Sequence, residues 1–224
     1  MHMNSILKEL LEYSGKLSKN KLVIGPGGNT SCRLKDKLYI KPSGLNFEEM
    51  KVDDFVEVDI ETGVISERQK RKKPSSEILM HRYIYQKRPD VMSIFHAHPP
   101  ITIGLAASGT EFKHLYPDSA AYLGKEILVL DYIVPTTYKL AEYVRDKIEN
   151  YVSIVLQNHG AITVAKNPKT AYLRMELLEG LAYSLWIALS SNPNGKIRYL
   201  TDQEVDEVIN LDAEKYRTKL YDNG

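Results

Sequence analysis

Apolar residues recur along the chain at two spacings, one typical of helices and one typical of strands. Near the amino end they lie three or four residues apart, which predicts an amphipathic helix of about four turns with Asn4 or Ser5 as its N-cap. Turn residues at 61–63 and 158–160 split two alternating runs, so the sheet has antiparallel parts. The pattern predicts further helices at 77–88, 101–108, 138–150, 168–191 and beyond Thr201, and strands at 22–24, 37–43, 55–66, 91–98, 127–134 and 153–165.

The length and composition fit one domain over residues 1–224. With 224 residues, 43% of them hydrophobic, the chain can bury a substantial core but is too short for two full domains. It has 30 lysine and arginine residues against 29 aspartate and glutamate residues, for a formal net charge of +1. No overall field therefore points to nucleic acid or to an anionic membrane, and we expect a small-molecule partner.

The cysteine content and the length of the apolar runs indicate the cellular compartment in which the protein is expected. The single cysteine, Cys32, excludes an internal disulfide and a cysteine-based zinc site, and it is consistent with a reducing compartment. No stretch approaches the roughly 18 apolar residues of a membrane helix, and residues 1–19 lack the apolar block of a signal peptide. We expect a cytoplasmic protein without a membrane partner.

Two histidines lie two positions apart at the end of the predicted strand 91–98. Side chains in a strand alternate between faces, so His96 and His98 point the same way and can chelate a divalent metal. Pro99 and Pro100 cannot donate a ladder hydrogen bond, so the strand ends beside the pair. The alternative is one core histidine and one surface histidine that share this spacing by chance, so further ligands are needed to decide.

Three segments carry small polar side chains and bare backbone N–H groups, which can cradle an anion such as phosphate. Residues 25–31 are the most glycine-dense segment, Ser43-Gly44 follows a strand, and Ser75-Ser76 precedes a helix with Glu77 in its first turn. The first segment does not match a P-loop or a dinucleotide motif. Ordinary turns and helix capping are the alternative. The cation-rich run 68–73 has two interpretations, a solvated loop or a positive rim beside an anionic substrate or a partner subunit.

A third histidine, His159, lies at the end of a predicted strand. The short connection between the helix that begins at Glu77 and the strand 91–98 can bring Glu77 near His96 and His98. Together these residues supply one carboxylate and three imidazoles, a ligand set suited to catalytic zinc or a related transition metal. The remaining histidines have no such neighbours in the sequence: His2, His81 and His114.

Five short motifs in a fixed order resemble those of a known family. They are Gly-Gly-Asn-Thr-Ser at 27–31, Lys-Pro-Ser-Gly-Leu at 41–45, Pro-Ser-Ser-Glu at 74–77, His-Ala-His-Pro at 96–99 and Gln-Asn-His-Gly at 157–160. The chain is similar over nearly its whole length to the class II aldolases of the L-fuculose-phosphate aldolase and L-ribulose-5-phosphate 4-epimerase family, which includes the adducin head domain. The resemblance implies an α/β fold: a single-domain α/β/α three-layer sandwich around a mostly antiparallel sheet.

The resemblance also implies a site and its chemistry. Zinc is held at the positions matching Glu77, His96, His98 and His159, where it acts as a Lewis acid and stabilises an enediolate. Glu77 leaves the metal and carries the proton. The active sites lie between subunits of a four-fold symmetric homotetramer. The positions implied to bind the phosphate of a sugar phosphate are Gly28, Asn29, Ser43, Gly44, Ser75 and Ser76.

In this family a tyrosine of the neighbouring subunit donates a proton to the aldehyde fragment. Tyr116 is the nearest match, with Asp118 and Tyr122 as alternatives, because the local sequence departs from the pattern of the fuculose enzyme. Pro135-Thr136-Thr137 stands where the family often has Gly-Thr, which leaves the identity of the sugar open. A tail tyrosine of some members would match Tyr216.

The expected function is metal-dependent aldol cleavage of a phosphorylated ketose such as L-fuculose 1-phosphate. Glu77 favours an aldolase or a methylthioribulose-phosphate dehydratase, because the 4-epimerases of the family have aspartate there. The 4-epimerase, the dehydratase and an oxo-acid-phosphate decarboxylase stay open as alternatives. From another class, a non-catalytic adducin-like interaction module is the alternative, although all four metal positions are present. A zinc hydrolase would need an Asp-His pair further on, where Pro100 and Ile101 stand.

Overall fold

The computed structural model of the chain describes residues 3–223, which contain eight α-helices and one sheet of seven strands. The helices are α1 Met3–Lys19, α2 Ile78–Lys87, α3 Pro100–Ala107, α4 Pro117–Leu123, α5 Tyr138–Lys147, α6 Pro168–Ser191, α7 Asp202–Asn210 and α8 Asp212–Asn223. The strands are β1 Asn29–Leu34, β2 Lys37–Ile40, β3 Val56–Asp59, β4 Ser93–Ala97, β5 Leu128–Leu130, β6 Ser153–Leu156 and β7 Gly160–Ala165.

The sheet is mostly antiparallel, as the sequence predicts. Its strands lie in the order β3-β2-β1-β4-β7-β6-β5, and only β5 and β6 are parallel neighbours. The central strand β4 pairs with β1 and β7 and is buried along its whole length. In this register His96 lies opposite Asn29 on β1 and Ile162 on β7. Residues from three separate parts of the sequence therefore meet at one end of β4.

Helices cover both faces of the sheet. One buried cluster joins α1, α3, α4 and α6 to a face that includes Phe95, and the other joins α2 and α5 to the opposite face, which includes Ile94. Consecutive residues of β4 thus belong to opposite clusters, as the alternation of side chains in a strand requires. The predicted three-layer α/β/α sandwich is confirmed.

The predicted strand at 22–24 is wrong. Leu22 and Val23 are buried, but they lie in an irregular segment after α1. The Leu22 N–H donates to the Leu17 carbonyl at 2.8 Å, and the Leu22 carbonyl accepts from the His98 N–H at 3.0 Å. Because the end of the helix and the loop after β4 use these backbone groups, they are not available for a sheet ladder.

Several predicted boundaries also change. Asn4 and Ser5 lie within α1, so neither caps it, and residues 1 and 2 fall outside the described part of the chain. The second helix begins at Ile78, which puts Glu77 at the N-cap position instead of in the first turn. The strands predicted at 91–98 and 127–134 shorten to Ser93–Ala97 and Leu128–Leu130, and the tail forms two helices instead of one.

The long helix α6 has the predicted bounds. Its N-cap is Asn167, whose side-chain oxygen accepts from the Thr170 N–H at 2.8 Å. Within residues 3–223, no helix is both long and apolar enough to cross a membrane. The single domain over residues 1–224 stays a prediction.

Candidate active site

Three histidines bring ring nitrogens together at the end of β4. His96 is on the strand, His98 follows it, and His159 lies in the turn between β6 and β7. One nitrogen of each ring lies within 4.8 Å of the others. The pairing of β4 with β7 carries the turn alongside the strand end, so the three histidines that the sequence singles out do meet.

The turn that carries His159 depends on two residues with special backbone properties. Asn158 has a φ of 56°, in the left-handed region that asparagine tolerates better than most residues. Gly160 passes so close to β4 that an added Cβ would collide with the Ala97 carbonyl oxygen and would lie 2.8 Å from Cδ2 of His98. A larger residue at 160 would therefore push the turn, and His159 with it, away from the other two rings.

The Glu77 carboxylate faces the histidines from the start of α2. Its Oε2 lies 3.1 Å from Nε2 of His96, and its Oε1 lies 3.3 Å from Nε2 of His159. The side chain is buried, and within residues 3–223 Oε1 has no hydrogen-bond partner of adequate geometry. A buried carboxylate oxygen without a hydrogen bond is costly unless a cation compensates for it. The donor set therefore fits a divalent metal.

The orientation of the His96 ring supports the same interpretation. Its Nδ1 lies 3.0 Å from the Ala161 carbonyl oxygen, which can only accept, so this nitrogen carries the proton. In the neutral ring the other nitrogen, Nε2, presents a lone pair to the site, 3.1 Å from Nε2 of His98. A carbonyl that fixes the outer nitrogen while the inner one faces the site is the usual arrangement of a metal-binding histidine.

The electrostatics of the group favour the metal-binding forms of Glu77 and His98. Burial alone would raise the pKa of Glu77, but the adjoining His96 and His159 rings outweigh it and hold that pKa below its ordinary value. Burial, together with the neighbouring His96 and His159, lowers the pKa of His98 to about 3. At neutral pH the carboxyl is ionised and the His98 ring is neutral, as metal binding requires.

A cavity of about 360 Å³ opens beside Glu77, His98 and His159. The segment after β2 runs antiparallel to the segment before α2: the Ser43 N–H donates to the Lys73 carbonyl, and the Ser75 N–H donates to the Lys41 carbonyl, both at 2.9 Å. This pairing brings the two serine-bearing turns to one wall. All six residues that the sequence assigned to phosphate line the cavity: Gly28, Asn29, Ser43, Gly44, Ser75 and Ser76.

Gly28 is required where the glycine-rich loop meets the end of β4. Its φ is 64°, and an added Cβ would lie 2.8 Å from the His96 carbonyl oxygen. The close approach places the next residue, Asn29, directly against Glu77, whose Oε2 lies 2.8 Å from the Asn29 amide nitrogen. The loop thus joins the wall of the cavity to the group of histidines.

Lys41 lines the same cavity and is a residue that sequence reasoning missed. It is 2% exposed, its ammonium group donates to the Pro26 carbonyl at 3.0 Å, and burial lowers its pKa. The only signal in the sequence is its place in the Lys-Pro-Ser-Gly motif, because a lysine at the end of a strand usually reaches solvent. A buried cation among hydroxyl and N–H donors makes the cavity suitable for an anion.

His81 is the second residue whose contact with the site the sequence did not reveal. The ring is fully buried, with Nε2 at 2.5 Å from Oδ1 of Asn29 and Nδ1 at 2.7 Å from Oγ of Ser31. The ring of His114, by contrast, bonds to the Ser119 hydroxyl and to the carbonyl oxygens of Gly124 and Lys125, away from the cavity.

The candidate proton donors do not line this cavity in their own chain. Tyr116 stands at the N-cap position of α4, and its hydroxyl lies over α6, 3.6 Å from where a Cβ on Gly180 would be. Asp118 lies 3.7 Å from an Arg217 nitrogen, and Tyr122 packs edge-on against the ring of Tyr221.

The departure from the family pattern at 135–137 does lie at the cavity. Pro135 and Thr136 line it, and Thr136 has a φ of 65°, a left-handed conformation that strains a β-branched residue. Tyr216, the match proposed for a tail tyrosine, is 64% exposed on α8.

Comparisons with known proteins cover both the fold and the site. The sequence model described as the class II aldolase and adducin N-terminal domain matches residues 8–186. An L-fuculose phosphate aldolase of Methanocaldococcus jannaschii is 36% identical over 172 residues, 77% of this chain and 91% of that protein. A 5-deoxy-D-ribulose 1-phosphate aldolase of Bacillus thuringiensis is 30% identical over 203 residues, 90% of this chain and 92% of that protein. A solved structure of an L-fuculose 1-phosphate aldolase has a TM-score of 0.84 and 31% identity, over 97% of this chain and 98% of that one.

Proposed function

We propose that this chain, which belongs to the class II aldolase and adducin family, cleaves a phosphorylated ketose with the help of a divalent metal. As a member of that family it is a carbon–carbon lyase. Glu77, His96, His98 and His159 would hold the metal, which we expect to be zinc because the donors are imidazole and carboxylate. When bound, zinc would supply Lewis-acid chemistry to the substrate oxygens. The observation that carries the proposal is the convergence of three imidazole nitrogens within 4.8 Å beside a carboxylate oxygen for which the described residues provide no hydrogen bond.

The phosphate group would occupy the wall formed by the serine-bearing turns. Asn29, Ser43 and Ser76 offer amide and hydroxyl donors there, Gly44 offers a bare N–H, and Ser75 precedes the amino end of α2, where the helix dipole favours a negative charge. The buried Lys41 ammonium adds a positive charge to the same wall. Hydrogen bonds to an ionised phosphate are stronger than those to a neutral hydroxyl, so unphosphorylated sugars should bind weakly.

Glu77 is the residue that we assign to proton transfer. When the bond between C3 and C4 of a ketose breaks, the C4 hydroxyl gives up its proton as the aldehyde forms, and C3 keeps the electron pair and takes up a proton. Among the residues described at the cavity, Glu77 is the only carboxylate. From this position Glu77 would hold the metal and would carry the proton at C3.

The second proton transfer would use Tyr116 of a neighbouring subunit. Tyr116 does not line the cavity of its own chain, so it can take part only if another copy brings it there. Exposed apolar side chains flank the cavity rim at Pro135-Thr136: Tyr132, Val134 and Tyr138 are 52%, 59% and 66% exposed. Such a surface favours burial against a second copy, which supports a homotetramer with shared sites.

We place the protein in the cytoplasm, a location with which the lone buried Cys32 is consistent.

Two sugars stand out as substrates. The names of several relatives and of the solved structure suggest L-fuculose 1-phosphate, and the relative in Bacillus thuringiensis suggests 5-deoxy-D-ribulose 1-phosphate. Both carry phosphate at C1 and end in a methyl group, so the phosphate wall suits either of them. Glu77 in place of aspartate argues against a 4-epimerase.

A substrate panel tests the proposal. The zinc-loaded protein would be assayed on L-fuculose 1-phosphate, 5-deoxy-D-ribulose 1-phosphate, L-ribulose 5-phosphate and methylthioribulose 1-phosphate, with His98→Ala as the matched control. We expect one of the ketose 1-phosphates to release dihydroxyacetone phosphate in the wild type only. An epimer without cleavage would indicate a 4-epimerase, and no turnover of any sugar would indicate an adducin-like module.

A further inference from the structure

A line of hydrogen bonds between buried side chains leads from the core to Glu77. The Tyr85 hydroxyl lies 2.9 Å from Oγ of Ser31, which lies 2.7 Å from Nδ1 of His81. Nε2 of His81 lies 2.5 Å from Oδ1 of Asn29, whose Nδ2 lies 2.8 Å from Oε2 of Glu77. All five residues are at most 8% exposed. We refer to these five residues as the buried polar chain.

Its members come from two elements with matched spacing. Glu77, His81 and Tyr85 are four residues apart and share one face of α2 and its N-cap, while Asn29 and Ser31 are two apart and share one face of β1. One helix face therefore contacts one strand face through alternating polar side chains. The sequence signature is Asn-x-Ser in the first segment and Glu-x-x-x-His in the second.

Only one direction of hydrogen-bond donation satisfies every member of the buried polar chain. The ionised Glu77 carboxylate can only accept, so the Asn29 atom that faces it must be the amide nitrogen. The Asn29 oxygen then faces His81, whose Nε2 must carry a proton and donate it. In a neutral ring Nδ1 is consequently an acceptor and takes the Ser31 hydroxyl proton, which leaves the Ser31 oxygen to accept from Tyr85.

We propose that His81 is a positioning residue that fixes the amide of Asn29, so that its N–H groups face Glu77 and an anionic oxygen in the cavity. An asparagine amide has two N–H groups, and Glu77 takes one of them. A flipped amide would turn its oxygen toward the Glu77 carboxylate and toward the cavity, where both contacts would be repulsive. The His81 N–H, bonded to the Asn29 oxygen, prevents that flip.

The surroundings of His81 hold it in the form that this role needs. Burial and the nearby His96 ring lower the pKa of His81 to about 3, so the ring is neutral and carries a single proton. Burial also holds the pKa of Tyr85 well above its ordinary value, so its hydroxyl stays a donor to Ser31. The inference rests on the proposed function only in taking the ligand of the cavity to be an anion.

The tautomer of His81 is the first test. Proton–nitrogen correlation spectra of the ¹⁵N-histidine-labelled, zinc-loaded protein distinguish the two neutral tautomers, and the signals missing from His81→Gln assign the ring. We expect the proton on Nε2 and none on Nδ1. A proton on Nδ1 would overturn the inference.

The second test compares two substitutions at His81. Gln can place an amide N–H near the position of Nε2 and should keep the Asn29 contact, whereas Phe fills similar space without a donor. His81→Phe should weaken binding of inorganic phosphate, measured by calorimetry, by about tenfold to a hundredfold, in line with a lost charge-assisted hydrogen bond. Its zinc affinity, measured by competition with a chelator, should fall by about tenfold or more, as when an outer-shell partner is lost. His81→Gln should stay within about threefold of the wild type in both measurements.

His114→Gln is the control for loss of a buried ring, and it should change neither affinity. Equal losses in His81→Gln and His81→Phe would make the role merely structural and would overturn the inference, as would a folded His81→Phe that binds both ligands like the wild type. A failure of the proposed function looks different, because the wild type would then cleave no sugar phosphate. The tautomer and the zinc affinities would still decide the role of His81.

Discussion

Two cavities of this chain differ in size and in how their polar groups are satisfied. The larger, of about 530 Å³, is lined by His114, whose two ring nitrogens bond to the Ser119 hydroxyl and to the Gly124 carbonyl oxygen, and by Lys125, which pairs with Asp206 at 2.7 Å. The smaller, of about 360 Å³, lies beside Glu77 Oε1 and His159 Nδ1, two buried atoms without hydrogen-bond partners within residues 3–223.

A functional site is therefore indicated less by the volume of a cavity than by buried polar atoms that lack hydrogen-bond partners. In the larger cavity His114 and Lys125 bond to other groups of the protein, so these contacts stabilise the fold without a ligand. Beside the smaller cavity a carboxylate and three imidazoles converge, and among the described residues two of their atoms have no hydrogen-bond partner. Titratable groups with shifted pKa values, such as Glu77 and His98, concentrate at functional sites. The first and largest prediction is therefore that loss of a site histidine beside the smaller cavity abolishes metal binding, while loss of His114 at the larger cavity does not.

Removal of one imidazole should have the largest effect. His96→Ala or His98→Ala should lose the zinc that the wild type holds at about one ion per subunit, because two imidazoles and a carboxylate leave the shell incomplete. His114→Gln, at the larger cavity, should keep it. The measurement is metal content after dialysis. Unchanged zinc content in both alanine variants would contradict the assignment of the metal site to the smaller cavity.

Glu77→Gln should separate metal binding from chemistry. The amide keeps the size of the side chain but cannot carry the proton, so turnover per bound zinc should fall by roughly 10²–10⁴-fold, as for a lost general acid or base. The three histidines should still bind zinc, although more weakly. If turnover per zinc agrees with the wild type within a factor of a few, the proton carrier is another residue.

Loss of one phosphate contact should have a smaller effect. Ser76→Ala or Asn29→Ala should raise KM for the phosphorylated substrate by about tenfold to a hundredfold, because a charge-assisted hydrogen bond is worth roughly 1.5–3 kcal/mol. Thr110→Ala removes a hydroxyl from the wall of the larger cavity and should leave KM unchanged. Steady-state kinetics measures both, and an equal effect at the two cavities would contradict the assignment.

The dependence of zinc affinity on pH should be the mildest effect. Burial lowers the pKa of His96, but the Glu77 carboxylate and the Ala161 carbonyl outweigh it, so the pKa is raised above its ordinary value of 6.5. A proton competes with zinc for this ring, so affinity should be full at pH well above that raised pKa and should fall by about tenfold per unit below it. Competition with a chelator between pH 8 and 5.5 measures this. Constant affinity over that range would mean that His96 is not a ligand.

Much of the fold follows from local patterns in the sequence. The bounds of α6 and the hairpin of β6 and β7 are predicted because apolar periodicity and the Asn-His-Gly turn act within a few residues. The strand predicted at 22–24 fails because its backbone groups are used by α1 and by the loop after β4, a contact between distant segments. The spacing of His96 and His98 shows that they share a face, but it does not show which turn lies opposite.

The buried polar chain and Lys41 show where sequence reasoning stops. The four-residue spacing of Glu77 and His81 is visible in the sequence, but it has meaning only once α2 faces β1. Likewise Lys41 becomes a cavity residue because the segment after β2 pairs with the segment before α2. Both depend on tertiary packing, which overrides the usual exposure of polar residues.

Removal and return of the metal test the central claim most directly. Zinc would be stripped from the wild type with a chelator, the chelator removed, and release of dihydroxyacetone phosphate from the substrate that the panel identifies would be followed before and after zinc is added back. We predict that cleavage stops without zinc and returns with about one ion per subunit, and that His114→Gln behaves in the same way while His98→Ala does not recover. Cleavage that continues in the stripped wild type, or that returns equally in His98→Ala, would contradict a metal-dependent aldolase site at the smaller cavity.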